Sequence, residues 1–474
     1  MFFVSQSSKR ILRFTFLFWF AVFVGIFLWS RDWEVVRLAS TKQKEDLFGL
    51  FAFCVFCVMT FALYLDVRAR DRLSAGELLL LGLPYLVGLI FLAQTTELSF
   101  GSWDYDQYEA AFRAIAEGGN PYLGTRYLYP PLFADMMAFV FRIGLRFFSY
   151  VGMDKSAWVF VFYVHQASLL YFLLLSYFLS FEFAKQIGLA NLRSVILVSV
   201  IYLFNVPVLR TLSNNQVNFY ILASILLVLV LLRKYPFIAG LAAAVGGMIK
   251  IYPFALSAPM VLLKKWRAIF GLFAGSLLVI FFETNFFRNF ELWRQFINFY
   301  RSFPVEQESL LFRNSSPMSF LRSTLGFLNL PDTILRAVFV CVVASVGVWY
   351  LFRFLQRERM AVPDGALRMD TDFFRMTGHM LDFSVISLLI APSAWEHHYV
   401  IAIPLAIWTF TLRGRDAFLQ TTIGTALVFA LPVFNVYPFS YLRMAGLLIL
   451  LLLVSPKNIE KTFSISVHAK KNSR

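Results

Sequence analysis

Residues 103–133 read WDYDQYEAAFRAIAEGGNPYLGTRYLYPPLF, the longest strongly polar passage in the first half of a very apolar chain. Asp104 and Asp106 open it. Tyr108, Ala111, Phe112 and Ile115 then recur at helical spacing, which predicts a short amphipathic helix over 105–117. Glu117-Gly118-Gly119-Asn120-Pro121 ends that helix, because glycine accepts left-handed geometry and proline cannot continue the turn. Tyr122, Tyr127 and Tyr129 follow, and Pro130-Pro131 leads into the next apolar run. Two carboxylates, a tight turn and a tyrosine cluster beside a membrane entry point have the make-up of a site.

The surroundings of this stretch set the class. The chain has 474 residues, 59% hydrophobic, 18% aromatic and 15% charged, with 56 phenylalanines. Soluble domains carry about 25% charged residues. Long apolar runs repeat along the whole chain, which predicts an all-α, polytopic integral membrane protein. Spans are expected near 11–30, 46–65, 76–94, 131–149, 156–180, 192–209, 217–232, 236–262, 268–284, 333–355, 377–392, 398–412, 416–433 and 438–454, about fourteen in all. The run from Ile11 to Trp29 follows Lys9 and Arg10 but lacks a small-residue cleavage site, so it reads as a retained anchor. Cys54, Cys57 and Cys341 all lie in apolar runs and imply no disulfide framework.

A net charge of +15 in a soluble chain would point to nucleic acid. Here the cations sit in short loops between spans, where they set orientation, and no nucleic-acid partner is expected. A cytoplasmic N-terminus places Arg68, Arg70, Arg72, Lys264, Lys265, Arg267, Arg353, Arg357, Arg359, Arg368, Arg375, Arg413, Arg415 and the basic tail inside. Arg31, Arg37, Lys42, Lys44, Arg233 and Lys234 run against that assignment. In this orientation the 95–130 loop, the 285–332 loop and the Ala394–His398 turn emerge on one outer face.

Several residues could carry chemistry. Asp104 could take a proton from an attacking hydroxyl, or simply cap the helix that starts beside it. Lys250, beside Pro253 in GLAAAVGGMIKIYPF, either lines a cavity or snorkels from a span end. Asn214-Asn215-Gln216 and Asn218 lead into the 217–232 span, and a polar turn is the commoner meaning of such a run. In Trp395-Glu396-His397-His398, adjacent helical side chains point about 100° apart, so both histidines fit one metal poorly. One of them donating to a phosphate or sugar fits better; an interfacial Trp–His belt is the plain alternative. Arg313-Asn314-Ser315-Ser316-Pro317, with Arg322 beyond, offers donors suited to a phosphate oxyanion or forms an ordinary loop. No P-loop, GxSxG, GxGxxG or metal-ligand cluster is present.

Taken in order, these stretches resemble glycosyltransferase family 87, bacterial polyprenyl-phosphate-sugar-dependent, mannosyltransferase-like membrane enzymes of the GT-C superfamily. The resemblance runs over about residues 95–455. It rests on Asp104-Tyr105, Glu117-Gly118-Gly119-Asn120-Pro121-Tyr122 and Tyr129-Pro130-Pro131-Leu132. Asn215-Gln216-Val217-Asn218 is similar to the GQxN segment, with Asn where glycine is usual. Ala239-Gly240-Leu241 with Lys250-Ile251-Tyr252-Pro253, Asn314-Ser315-Ser316 with Arg322, and Ala391-Pro392-Ser393-Ala394-Trp395-Glu396-His397-His398 complete the series.

The resemblance implies a GT-C-type helical bundle over 76–455 with catalytic loops on the outer face of the cell membrane; residues 1–75, with an extra pair of spans, fall outside the usual pattern, and 456–474 reads as a basic tail. It implies Asp104 as general base in an inverting displacement, His398 near the sugar phosphate, and Lys250 and Arg322 on the donor phosphate. Tyr108, Asn120, Tyr122, Tyr129, Gln216, Asn218, Asn314 and His397 are further substrate-binding candidates. Asp106 has no firm counterpart and matters only if a divalent metal takes part; no cofactor is required. The implied partners are a polyprenyl-phosphate-linked sugar, a glycolipid or glycan acceptor and the bilayer. A transporter or flippase of lipid-linked sugars is the competing reading. It would spread polar residues over both faces and often carry inverted repeats, neither of which is seen. A scaffolding membrane protein would need no Asp–His–Arg set.

Overall fold

The computed structural model describes residues 103–125, 127–150, 152–153, 156–203, 205–302, 314–328, 330–360, 370–413, 417–430 and 437–460. The spans expected at 11–30, 46–65 and 76–94, the pair assigned to 1–75 and most of the tail lie outside them. Among the described residues the protein is helical, with no strand and one isolated β-bridge between Asn314 and Trp395.

The helices are α1 (Trp103–Ala116), α2 (Pro131–Tyr150), α3 (Ser156–Gln186), α4 (Asn191–Leu203), α5 (Val206–Ser213), α6 (Asn218–Leu231), α7 (Pro236–Ile249), α8 (Ser257–Leu262), α9 (Trp266–Glu283), α10 (Glu291–Ser302), α11 (Pro317–Leu325), α12 (Asp332–Arg359), α13 (Thr371–Ile390), α14 (Ile403–Arg413), α15 (Phe418–Phe429) and α16 (Leu442–Leu453). Short 3₁₀ turns cover Tyr252–Leu256, Glu396–Ala402 and Phe439–Tyr441.

Where the described residues cover them, the expected apolar runs are helical, but several are not single crossings. Among the described residues, α3, α9, α12 and α13 are the helices long and apolar enough to cross a bilayer unbroken, and α4 with α5 makes a fifth candidate bent by 56°. The run at 236–262 shows why. Its first piece, α7, has 14 residues and spans about 21 Å, against a hydrocarbon core of about 30 Å. Pro253 lacks an N–H, and its ring would clash with the carbonyl of Ile249, so the helix stops there and Lys250 turns extended. The run at 398–412 is also divided, a 3₁₀ turn preceding the 11-residue α14.

The core forms around α6 and the 396–408 segment, both almost wholly buried. α6 packs between α3 and α7, α7 lies against α9, and α5 packs on the Glu396–Ala402 turn. The α7–α9 approach needs small residues: a Cβ on Gly240 would come within 1.9 Å of the Ala268 carbonyl oxygen, and one on Gly271 within 2.1 Å of the Phe237 oxygen.

Two arginines counted above as loop charge are not loop residues. Arg353 and Arg357 lie in the last turns of α12, both buried against Asp382 of α13. Arg353 meets that carboxylate at 2.7 and 3.0 Å and donates to the Leu451 carbonyl at 2.8 Å. They tie α12, α13 and α16 together rather than marking a membrane face.

Candidate active site

The site begins with α1. Its buried face is Tyr105, Tyr108, Ala111, Phe112 and Ile115, close to the amphipathic pattern expected. The helix starts at Trp103, so Asp104 lies in its first turn rather than ahead of it. Asp104 and Tyr108, four residues apart, share a face. Asp106 is exposed and sits about 200° around the helix from Asp104, so the two carboxylates do not face one another. The helix ends as expected, with Gly118 at φ +80°.

Tyr108 reaches from this face to the turn before α6, donating to Gln216 Oε1 at 2.8 Å. Tyr129 donates to the same oxygen at 3.2 Å, and the two phenol oxygens are 3.5 Å apart. Gln216 is delivered by a tight turn in which Asn215 has φ +56°. Glycine is the usual residue for that geometry and asparagine the next best tolerated. Asn215 is also anchored from α3: Gln166 donates to its side chain and His165 Nε2 donates to its carbonyl at 2.8 Å.

Lys250 is 4% exposed, which removes the snorkelling reading. Its Nζ donates to Asn218 Oδ1 at 2.9 Å and lies 4.9 Å from the Tyr129 ring centre and 5.1 Å from that of Tyr252. A buried amine needs such partners, because desolvation disfavours its charged form unless polar groups or ring faces offset it. Asp104 is close enough for its charge to act on Lys250 and on Tyr108. Tyr252 in turn sits 3.0 Å from His398 Nδ1, and the two histidine rings are 4.6 Å apart. The charge of Lys250 bears on both histidines, and that of Arg210 on His397.

Other candidates support rather than join this cluster. Asn120 Oδ1 accepts the Tyr122 N–H at 2.9 Å, and the Tyr122 hydroxyl donates to the Tyr129 carbonyl at 3.0 Å, so both shape the loop that carries Tyr129. Burial holds the phenols of Tyr122 and Tyr127 well above their usual range, which keeps both as donors. Asn314 accepts the Ala394 N–H at 2.8 Å and donates to the Pro392 carbonyl at 3.3 Å, while Ser316 Oγ donates to that carbonyl at 2.7 Å. That segment braces the 391–398 turn. Arg322 forms an ion pair with Asp332 at 3.2 Å, at the start of α12. Among the described residues no group of three or more His, Cys, Asp and Glu side chains is gathered as metal ligands would be.

Asp104, Tyr108, Tyr129, Gln216, Asn218, Lys250, His397 and His398 thus come from four separated stretches and meet in one buried polar cluster in an apolar protein. The sequence profile of glycosyltransferase family 87 matches residues 127–369. The chain belongs to that family. As a family 87 protein it is a membrane glycosyltransferase, which takes a sugar from a donor to an acceptor. No curated protein and no solved structure matches it. The profile covers Tyr129, Gln216, Asn218 and Lys250, whereas Asp104, Tyr108, His397 and His398 fall outside it. The fold is what joins the two groups.

Sequence reading missed Tyr252, Arg210 and Gln166. Tyr252 had a signal, being a phenol two residues after a lysine in an apolar run. Arg210, in the short α5, and Gln166, in the long α3, had none, since a polar residue in a helix does not announce its distant partner.

Proposed function

We propose that this family 87 enzyme transfers a hexosyl, mannosyl-like residue from a polyprenyl phosphate to a glycolipid or polysaccharide acceptor at the outer face of the cell membrane, within a GT-C-type bundle. The observation that carries this reading is that Asp104 lies near enough for its charge to act on Lys250, which bonds to Asn218, while Tyr252, two residues on, meets His398. It supplies a carboxylate that can receive a proton beside groups that can hold an oxyanion.

In the proposed step the acceptor hydroxyl oxygen bonds to the anomeric carbon as the bond from that carbon to the phosphate oxygen breaks. The hydroxyl proton goes to the Asp104 carboxylate, and the departing polyprenyl phosphate keeps the electron pair. Lys250, with Asn218 beside it, and His398 stabilise the charge growing on that phosphate. A single displacement inverts the anomeric centre. Tyr108 and Tyr129, anchored on Gln216, wall the sugar site.

The test is transfer by purified protein given a panel of polyprenyl-phosphate hexoses, nucleotide sugars and membrane glycolipids. Transfer with inversion from a polyprenyl-phosphate hexose is expected. Transfer from nucleotide sugars alone would overturn the donor assignment.

A further inference from the structure

The residue just before the histidine pair is a carboxylate to which the proposed chemistry gives no role. Glu396 is 5% exposed. Its Oε1 meets Arg210 Nε at 2.9 Å and its Oε2 meets Arg443 Nη2 at 3.3 Å, so one buried acid is held between guanidinium groups of α5 and α16. Arg443 also donates to the Val428 carbonyl at 2.8 Å, which ties it to α15. From α5, Thr211 Oγ1 donates to the His397 carbonyl at 3.4 Å. Elements far apart in sequence therefore hold the Glu396 side chain and the His397 carbonyl. Ion pairs buried this way are costly to assemble and add little net stability, so their usual return is a fixed geometry.

What that geometry fixes is visible in the next ring. The His398 N–H donates to the Trp395 carbonyl at 2.9 Å, and the Trp395 N–H donates back to His398 Nδ1 at 3.3 Å. A backbone N–H can only donate, so Nδ1 holds its lone pair and the ring proton sits on Nε2. The Tyr252 hydroxyl, 3.0 Å from the same nitrogen, adds a second donor.

We infer that Glu396 is a positioning residue: clamped by Arg210 and Arg443, it holds the turn in which Trp395 and Tyr252 keep His398 as a hydrogen-bond donor through Nε2. This rests on the reading of the 395–398 turn as part of the transferase site. It excludes His398 as a proton acceptor at Nε2, and it leaves Asp104 that part.

The test uses full-length protein in lipid nanodiscs with ¹⁵N-labelled histidine; the chain has five histidines, and His398→Gln assigns the signal. In the wild type, His398 should show a bare Nδ1 and a protonated Nε2. In Glu396→Gln the two tautomers should mix, and kcat with a polyprenyl-phosphate hexose should fall about 10²-fold with KM little changed, as for a small misplacement of a catalytic group. Glu396→Asp should recover part of both.

A wild-type His398 protonated on Nδ1 overturns the inference, as does a Glu396→Gln protein with wild-type signal and rate. If Glu396→Gln does not fold, Arg443→Lys must shift signal and rate in the same direction by less, and no change there overturns it equally. If the wild type transfers nothing from any donor, the proposed function fails, and the tautomer measurement alone judges the clamp.

Discussion

Lys250 Nζ donates to Asn218 Oδ1 at 2.9 Å, joining the broken end of α7 to the first residue of α6 with both side chains buried. The break that ends α7 at Lys250 and the turn that starts α6 are thereby joined. A continuous helix through 236–262 would carry Lys250 elsewhere.

This pairing predicts different outcomes for its two members. Asn218→Leu leaves a buried amine without its oxygen partner and should lower stability by about 1–3 kcal/mol. Lys250→Met removes the charge and keeps much of the volume, so it should fold well but bind a polyprenyl-phosphate hexose more weakly. Thermal melts in detergent and equilibrium binding separate the two effects. Equal donor affinity in Lys250→Met and wild type would remove Lys250 from the donor site. Arg322→Met tests the same assignment for an arginine that pairs with Asp332.

Asp104→Asn keeps the size and most hydrogen bonds of the carboxylate but cannot receive a proton. Transfer should fall about 10²–10⁴-fold, the usual cost of losing a positioned general base, while donor binding persists. Asp106→Asn should stay near wild type, because Asp106 is exposed on another side of α1. Single-turnover transfer measures both. A metal-dependent loss of equal size in the two variants would argue for a shared metal instead.

Asn215 holds φ +56° and a side-chain anchor from Gln166. Asn215→Gly should keep the turn and much of the activity, since glycine adopts that backbone freely. Asn215→Val forces a β-branched residue into left-handed geometry and should cost about 1–2 kcal/mol from the backbone alone. Melting temperatures that rank valine above glycine would contradict the strain argument.

Orientation is open to cysteine labelling. Gly119 and Arg359 are exposed at the end of α1 and the end of α12. With the site on the outer face, Gly119→Cys should react with an impermeant maleimide added to intact cells and Arg359→Cys only after permeabilisation. The reverse pattern would place the site on the cytoplasmic side. Arg353 and Arg357, buried against Asp382, no longer contribute to the charge argument, so this measurement carries more weight than loop counting.

Sequence alone determined the class, the α1 amphipathic face, the Gly118 stop and the order of motifs. Each depends on local composition or on periodicity within one segment, where neighbours in the chain are neighbours in space. Even Lys250 was legible as an anomaly, because a cation in an apolar run is costly wherever the chain goes.

Tertiary structure decided what those residues meet. Tyr108 and Gln216 are 108 positions apart and share a 2.8 Å hydrogen bond; Tyr252 and His398 are 146 apart and meet at 3.0 Å. Nothing in either segment encodes its distant partner, since such pairs exist only once α1 packs against the turn before α6 and the turn after α7 packs against the Glu396–Ala402 turn. The same holds for the Asn314 segment, whose donors looked fit for a phosphate and instead hydrogen-bond to the backbone of the 391–398 turn. It holds too for Arg353, which reads as a loop cation until α13 brings Asp382 against it. Local pattern specifies which groups a segment offers; packing of distant segments specifies which of them are satisfied within the protein and which face a substrate.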